Sequence, residues 1–230
     1  MRLPPMMTHV PAPKGGAVLD RAAREAAGNR AGAGDMFTRI DSRIAMALVL
    51  EPDVSRETSH QMLLVAQVAA GEAIAALAPP ETEVTHRWDG ALVVNGATVG
   101  SVGGRCAAND RGSPEWLAVG VRLDCEPRER DPGHDPGRSA LVDELGPLDA
   151  TEIAEAIARH WMAWLHDWES AGWPAVARAW DGRAMPGQSI ALPGGGDGTL
   201  LGLDEGGSAL VRGANGTVVV PLASLWDGPA

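Results

Sequence analysis

The dipeptide Asn95-Gly96 is the feature that most narrows what this chain can fold into. It separates two runs of β-forming residues, Ala91–Val94 and Ala97–Val102. Asn-Gly between such runs is a strong hairpin signal, because both central residues of a type I′ turn need a positive φ. We therefore expect an antiparallel hairpin whose register places Thr98 opposite Val93.

Other apolar runs predict further strands of the same sheet. Ile44–Leu50 is continuously apolar and is followed by Pro52, which is typical of a strand buried on both faces. Glu83–Trp88 and Trp116–Leu123 have strand-like composition on either side of the hairpin.

Helical patterns alternate with these strands. From about residue 57 to 77 apolar residues keep helical spacing, and an Ala-rich run covers Ala17–Ala27. The clearest helix is Asp149–Glu169, with a start that resembles a capping box; Gly172 ends it and Pro174 begins a shorter helix. These elements predict an α/β (α+β) fold: a mixed sheet with helices packed mainly on one face.

The composition changes again near the C-terminus. From Gln188 onward, short β runs are separated by Gly-rich turns, which predicts a small SH3-like β-barrel. The expected organisation is a flexible head over 1–16, a main domain over 17–185 and the barrel over 186–230. The stretch 126–138 lacks apolar residues and is expected to be a mobile surface loop.

The charge of the chain excludes some partners. Its 230 residues include 30 acidic and 19 basic ones, for a net charge of −11. An acidic surface repels nucleic acid and anionic membranes, so neither is expected as a partner. Lys14 is the only lysine, and all other basic residues are arginines.

Targeting and cross-linking signals are weak. The chain has two cysteines, too few for a disulfide framework. The first residues, Met1–Gly16, lack the apolar core of a signal peptide, and the apolar stretch Met62–Ala78 is interrupted by Gln67 and Glu72. A soluble cytoplasmic protein is expected.

The segment Thr85–Val102 resembles the biotin protein ligase and lipoate ligase superfamily. The family pattern is Lys-Trp-Pro-Asn-Asp, a hairpin, and then Lys-Leu/Ile-Ala-Gly-Ile, and Trp88 aligns on the family tryptophan. Leu117–Asp124 is similar to the family strand Ile-Gly-x-Gly-Ile-Asn. The order of elements follows the family over roughly residues 17–226, most closely a divergent bacterial subgroup of unassigned function. The resemblance implies a catalytic core followed by an SH3-like domain, with biotin or lipoate and ATP as ligands.

Several positions depart from the family pattern. The replacements are Arg87 at the first lysine, Asp89 at the proline, Gly90-Ala91 at Asn-Asp, Thr98 at the second lysine and Asp124 at the terminal asparagine. Where the family has a Gly-Arg-Gly-Arg-Arg-Gly loop, this chain has only Thr38–Arg43. Acyl adenylation develops negative charge that a fixed cation and preorganised N–H groups must stabilise. Ordinary biotin or lipoate adenylation is therefore expected to be lost.

The resemblance suggests a cleft beside the hairpin that binds a small acid, an acyl group or a protein segment. The candidate ligand-binding residues are Arg87, Trp88, Thr98, Gly100, Ser101 and Asp124. Arg87 could bind an anion, and its alternative is an exposed strand-end arginine. Trp88 could line the cleft, and its alternative is a core residue.

Other chemistry has weaker support. Cys106 could be an acyl-transfer nucleophile, although small cysteines are usually packing residues. No metal site is expected, because His160 and His166 lie on different helix faces. Trp161, Trp164 and Trp168 are expected to pack as core against the sheet. Three possibilities stay open: a non-catalytic binding protein, a ligase or acyltransferase that uses Arg87 or Cys106, and a sheet that serves as a homodimer surface.

Overall fold

A computed structural model describes residues 1–107, 112–127, 137–185 and 187–226. A seven-stranded sheet has the order β1-β2-β3-β7-β6-β5-β4. Its strands are β1 Thr8–Pro11, β2 Asp35–Ile40, β3 Arg43–Leu50, β4 Val84–His86, β5 Ala91–Val94, β6 Ala97–Cys106 and β7 Leu117–Asp124. The sheet is mixed, because β1 runs parallel to β2 and the other neighbours are antiparallel.

Six helices accompany the described strands. They are α1 Val18–Ala27, α2 Arg56–Ser59, α3 Met62–Leu77, α4 Leu141–Leu145, α5 Ala150–Ala171 and α6 Trp173–Asp181. Asp149 caps α5, since its side chain accepts hydrogen bonds from the N–H groups of Thr151 and Glu152. The predicted start of this helix, its end at Gly172 and the short helix containing Pro174 are confirmed.

The hairpin is confirmed in its turn and its register. Asn95 and Gly96 have φ angles of 49° and 84°, and Val93 pairs with Thr98. Beyond that pair, Leu92 faces Gly100 because the register shifts by one residue, a β-bulge that the sequence pattern does not reveal.

The head predicted to be flexible over 1–16 contains an ordered strand. β1 pairs with β2 from Thr8↔Asp35 to Pro11↔Thr38, and Met7 is buried. Only one side of an edge strand needs backbone partners, so a short strand ending in proline is tolerated there.

The two faces of the sheet are covered unequally. α1 lies on one face, where Leu19 and Ala22 pack with Phe37 and Ala47. The larger cluster on the other face includes α3, α5 and α6. The prediction of a mixed sheet with helices mainly on one face is confirmed.

The tryptophans of α5 pack differently from the prediction. Trp161 is fully buried, but Trp164 donates its indole N–H to Glu72 and Trp168 donates to Gln61, both at 2.7 Å. α5 packs chiefly against α3. Trp164 and Trp168 therefore contact polar side chains on α3 and just before it, as well as packing against the apolar core.

A second sheet of four antiparallel strands follows α6, in the order β11-β10-β9-β8. These strands are β8 Ser189–Ala191, β9 Asp197–Leu203, β10 Ala209–Gly213 and β11 Gly216–Val220, and a 3-10 helix covers Leu222–Leu225. Closure of this sheet into an SH3-like barrel, and its division from the main domain at 185/186, stay predictions.

The last described residue links this second unit to the core. Trp226 stacks on His60 with ring centroids 4.9 Å apart and donates its indole N–H to the His60 carbonyl. Gly104 lies against the same indole, and a Cβ at residue 104 would come within 2.4 Å of it.

Two expectations concern segments apart from the sheets. The predicted mobile loop over 126–138 falls mostly on residues 128–136, which lie outside the described residues. The stretch Arg56–Leu77 is long and apolar enough to cross a membrane by composition, but 78% of its most apolar window is buried inside the protein. Its main part, α3, lies in the hydrophobic core of this α/β fold.

Candidate functional site

A cleft of about 220 Å³ opens between the start of α1 and the sheet face that α1 covers. Its lining includes Gly16–Leu19 on one side and Arg39, Arg43, Ser101 and Arg122 on the other. Small residues leave this space open. Gly120 lines the cleft, and a Cβ there would come within 3.2 Å of the Leu19 side chain. We call this space the α1-face cleft.

Sheet register brings the polar lining together. Across the β3, β7 and β6 strands, Arg122 lies directly opposite Ala45 on one side and Ser101 on the other. Arg43 lies opposite Asp124 in the next row. Because paired residues of antiparallel strands point to the same face, these side chains share the α1 side of the sheet.

Asp124 is buried beneath these arginines. One of its carboxylate oxygens lies 3.0 Å from Arg43 Nε and 3.5 Å from Arg122 Nη2, and the other lies 3.3 Å from Arg138 Nη2. Three guanidinium groups thus contact one carboxylate that is only 4% exposed. This arrangement fixes the arginines near the cleft without placing the acidic group in its lining.

Arg39 organises the segment that leads into α1. Its Nη1 donates to the carbonyl groups of Pro13, Gly15 and Gly16 at 3.3, 3.4 and 3.0 Å. Gly15 and Gly16 have φ angles of 91° and 69°, which L side chains rarely adopt. The guanidinium therefore stabilises a tight bend beside the cleft.

The N-terminus of α1 faces this bend without a side-chain cap. Its N-cap residue is Ala17, which has no polar side chain, although the first N–H groups of a helix need partners. The helix dipole adds partial positive charge there. Together with Arg43 and Arg122, the helix end makes the α1-face cleft suited to an anionic group.

The sequence-predicted residues divide between this cleft and other places. Ser101 is in the lining, and Asp124 lies under it. Thr98 is bonded through its backbone to another segment: its N–H donates to Gly137 and its carbonyl accepts from Ser139. Gly100 has a packing role, since a Cβ there would lie 2.2 Å from the Arg122 carbonyl oxygen.

Trp88 belongs to the core, not to the cleft lining. It is 2% exposed, and its indole N–H donates to the Gly207 carbonyl at 3.3 Å. Its backbone N–H donates to the Gln188 side chain at 2.8 Å. Trp88 therefore has the core position given as its alternative, and it joins the main sheet to the second one.

Arg87 is also placed away from the lining of the α1-face cleft. Its Nη2 lies 2.7 Å from the Asp89 carboxylate, and its backbone carbonyl accepts a hydrogen bond from Gln67. Its guanidinium group is paired with Asp89 and is not part of the cleft lining. Arg87 lies just after the end of β4 and is half-buried, which is close to the alternative of an arginine at the end of a strand.

Neither cysteine belongs to the cleft. Cys106 lies five residues beyond Ser101 along β6, about 17 Å at the usual rise of a strand. Its Sγ accepts a hydrogen bond from Arg56 Nη1 at 3.0 Å. Burial raises the pKa of the Cys125 thiol to about 11, so that group stays protonated at neutral pH. Within the described ranges no cluster of metal-binding side chains is found.

Sequence reasoning missed the arginines of the cleft. Arg122 interrupts the otherwise apolar part of β7, and a charge inside such a strand is the signal that could have identified it. Arg39 and Arg43 flank the β2–β3 turn, in the stretch Thr38–Arg43 where the family resemblance implies a Gly/Arg-rich loop.

Comparisons with known proteins agree on one family. The sequence profile described as the Biotin/lipoate A/B protein ligase family matches residues 3–182. A Paracoccus denitrificans protein named biotin–[acetyl-CoA-carboxylase] ligase is 24% identical over 216 residues, which cover 90% of this chain and 89% of that protein.

Solved structures show the same architecture. A biotin protein ligase-like protein of unknown function from Silicibacter superposes with a TM-score of 0.89 at 32% identity, covering 99% of both chains. The apo biotin protein ligase of Aquifex aeolicus superposes with a TM-score of 0.76 at 16% identity, covering 94% of this chain and 96% of that one. The second likeness bears on the fold alone.

Proposed function

Because this chain belongs to the biotin/lipoate A/B protein ligase family, we propose that it binds a small carboxylic acid in the α1-face cleft. We propose further that it does not carry out ordinary biotin or lipoate adenylation. The observation that carries the first part is the cleft itself, lined by Arg43 and Arg122 beside an uncapped helix N-terminus.

The chemistry of this lining supports an acid as ligand. A guanidinium group presents paired N–H donors that match the two oxygens of a carboxylate. Helix N-terminal N–H groups add donors that need no side-chain rearrangement. Ser101 supplies a hydroxyl that can donate or accept on the same face.

The β2–β3 connection supports the loss of adenylation. β2 ends at Ile40 and β3 begins at Arg43, so the turn consists of Asp41 and Ser42. The Asp41 N–H donates to the Arg43 carbonyl, which closes this turn tightly. A turn of this size has too few backbone N–H groups to surround a nucleotide phosphate, which a Gly-rich loop would provide.

The arginines also favour a second candidate function. Arg43 and Arg122 are fixed cations on the side of the sheet where a reacting acid would lie. They could stabilise developing negative charge in place of the lysine that Thr98 replaces. A ligase or acyltransferase with altered catalytic residues is therefore the alternative to a binding protein, and a cytoplasmic location suits either.

Two measurements on the purified protein separate these functions. Calorimetric titration with biotin, lipoate and octanoate is expected to detect binding of at least one acid. Incubation of the same acids with ATP and Mg²⁺ is expected to release no pyrophosphate above background. Sustained pyrophosphate release would establish the altered enzyme, and the absence of binding by any acid would contradict the binding function.

A matched pair of variants locates the site. Arg122→Gln removes a cation from the cleft lining and is expected to weaken acid binding by about tenfold, the worth of one charged hydrogen bond. Arg24→Gln removes the same charge from an exposed position near the end of α1 and should leave binding unchanged. Equal effects of the two substitutions would show that only the overall charge matters.

A further inference from the structure

Lys14, the only lysine of the chain, lies in the segment between β1 and α1. It immediately precedes Gly15 and Gly16 in the bend that Arg39 stabilises. Gly16 and Ala17 line the α1-face cleft, and Lys14 itself is exposed. The sequence alone assigns this residue to a flexible head, whereas the structure puts it two residues before Gly16, which lines the cleft.

The reach of a lysine side chain makes this placement chemically useful. Two residues span at most about 7 Å of chain, and a four-carbon stem carries the ammonium on the order of 6 Å from its Cα. Lys14 therefore has the length to bring its Nζ over a ligand that lies beside Gly16.

The guanidinium group of Arg39 already has hydrogen-bond partners in the bend. One guanidinium nitrogen, Nη1, donates to carbonyl groups of Pro13, Gly15 and Gly16, and Nε lies 3.4 Å from the Asp41 carboxylate. The side chain of Arg39 is only 21% exposed. These bonds fix the backbone on both sides of Lys14. We therefore infer that Arg39 keeps its partners when a ligand binds.

We propose that Lys14 binds the carboxylate of the ligand in the α1-face cleft and that Arg39 is the positioning residue that holds the Lys14 segment over it. This inference rests on the proposed function, since it names a specificity-determining residue of the same site. The ammonium from the bend and the N–H groups of α1 approach the acid from one side of the cleft, while Arg43 and Arg122 approach from the sheet.

Calorimetry with biotin and octanoate as probes tests the role of Lys14. Lys14→Gln is expected to weaken binding about five- to tenfold, the effect of losing one partly exposed charged hydrogen bond. Lys14→Arg keeps the charge and should lose much less affinity, and Arg24→Gln serves as the control for overall charge. Because Lys14 is exposed, none of these variants should disturb folding.

Amine labelling gives a readout that a purely structural role would not change. The protein carries two amines, Lys14 and the N-terminal amino group, so acetylation by acetic anhydride can be followed at each by mass spectrometry. A saturating probe is expected to slow acetylation of Lys14 several-fold and to leave the N-terminal amine as an internal reference. In Arg39→Gln this protection should be lost, and Lys14→Gln combined with Arg39→Gln should bind no more weakly than Lys14→Gln alone.

The outcomes separate this inference from the proposed function. If wild type binds a probe, while Lys14→Gln binds it equally well and Lys14 is not protected, Lys14 has no role and the binding function stands. Protection that survives in Arg39→Gln overturns the positioning role. If wild type binds neither probe, the proposed function and this inference fall together.

Discussion

Arg43 and Asp124 lie directly opposite each other across β3 and β7, with Arg43 Nε 3.0 Å from one oxygen of the buried carboxylate. The resemblance to the ligase family implies an asparagine at the position of Asp124, and in this chain the carboxylate contacts Arg122 and Arg138 as well. The replacement thus coincides with a group of arginines beside the cleft. A neutral amide at residue 124 would leave these cations without their shared carboxylate.

We expect Asp124→Asn to destabilise the protein and to strengthen anion binding. The arginines are about 34–43% exposed, so solvent screening limits the loss of unfolding free energy to about 1–2 kcal/mol. Urea denaturation measures that loss, and a pyrophosphate titration measures the affinity of the cleft for anions. Asp41→Asn, at a more exposed ion pair with Arg39, is the control and should change stability little. Weaker anion binding in Asp124→Asn would contradict the expected direction.

Burial of His86 predicts a dependence of stability on pH. Desolvation, with a smaller contribution from Arg183, lowers its pKa from 6.5 to about 3. The unfolded chain then binds a proton between pH 6.5 and 3 that the folded protein does not bind, so stability falls as pH falls through this window. Relative to His86→Gln, wild type should lose about 2 kcal/mol of unfolding free energy between pH 7.5 and 5.

Urea denaturation of both proteins at these pH values measures the difference. His166→Gln changes an exposed histidine and should retain the wild-type pH dependence. If His86→Gln and wild type lose stability in parallel, the folded protein takes up a proton at His86 without penalty and the argument fails.

Gln67 stabilises three elements through one buried amide. Its Nε2 donates to the carbonyl groups of Arg87 and Ala91, and its Oε1 accepts the indole N–H of Trp180 at 2.8 Å. The two carbonyls keep other backbone partners, but the buried indole has no replacement partner in this geometry. Gln67→Leu is therefore expected to lower the unfolding free energy by about 1–3 kcal/mol, the cost of an unpaired buried donor.

The control for this substitution is Gln61, the residue that precedes α3. Gln61→Leu removes the acceptor of Trp168, which is only partly buried, so water can replace the lost partner. Thermal or urea denaturation should show the smaller loss for Gln61→Leu. Equal losses would mean that burial of the indole does not set the cost.

Local chemistry explains why parts of the fold are predictable from the sequence. The type I′ turn at Asn95-Gly96 and the cap at Asp149 depend on residues within a few positions of each other, and both are confirmed. The strand β1 is short and has little apolar pattern, so its pairing with β2 is set by the neighbouring strand. Such elements cannot be recognised one segment at a time.

The site was less predictable because its residues come from distant strands. Ser101 and Arg122 become neighbours only through the register of β6 with β7, and Arg43 joins them through β3. The family pattern indicates Trp88 as a site residue, but its position is set by the second sheet through Gly207. Neither the contacts made through strand register nor the contact with the second sheet can be predicted from the spacing of residues along the sequence.

The last prediction tests the cleft by filling it. Ser101 is half-buried on β6, with Arg122 directly opposite and the start of α1 across the cleft. A leucine at this position would extend apolar atoms into the space and displace a ligand, so we expect Ser101→Leu to abolish acid binding. The cleft offers room for the leucine side chain, so the unfolding free energy should change by less than about 1 kcal/mol. Calorimetry with octanoate and a denaturation curve on the same preparation measure both quantities.

Thr217→Leu, an equivalent substitution on an exposed position of β11, should bind octanoate as wild type does. Octanoate binding that persists in Ser101→Leu would place the ligand somewhere other than the α1-face cleft.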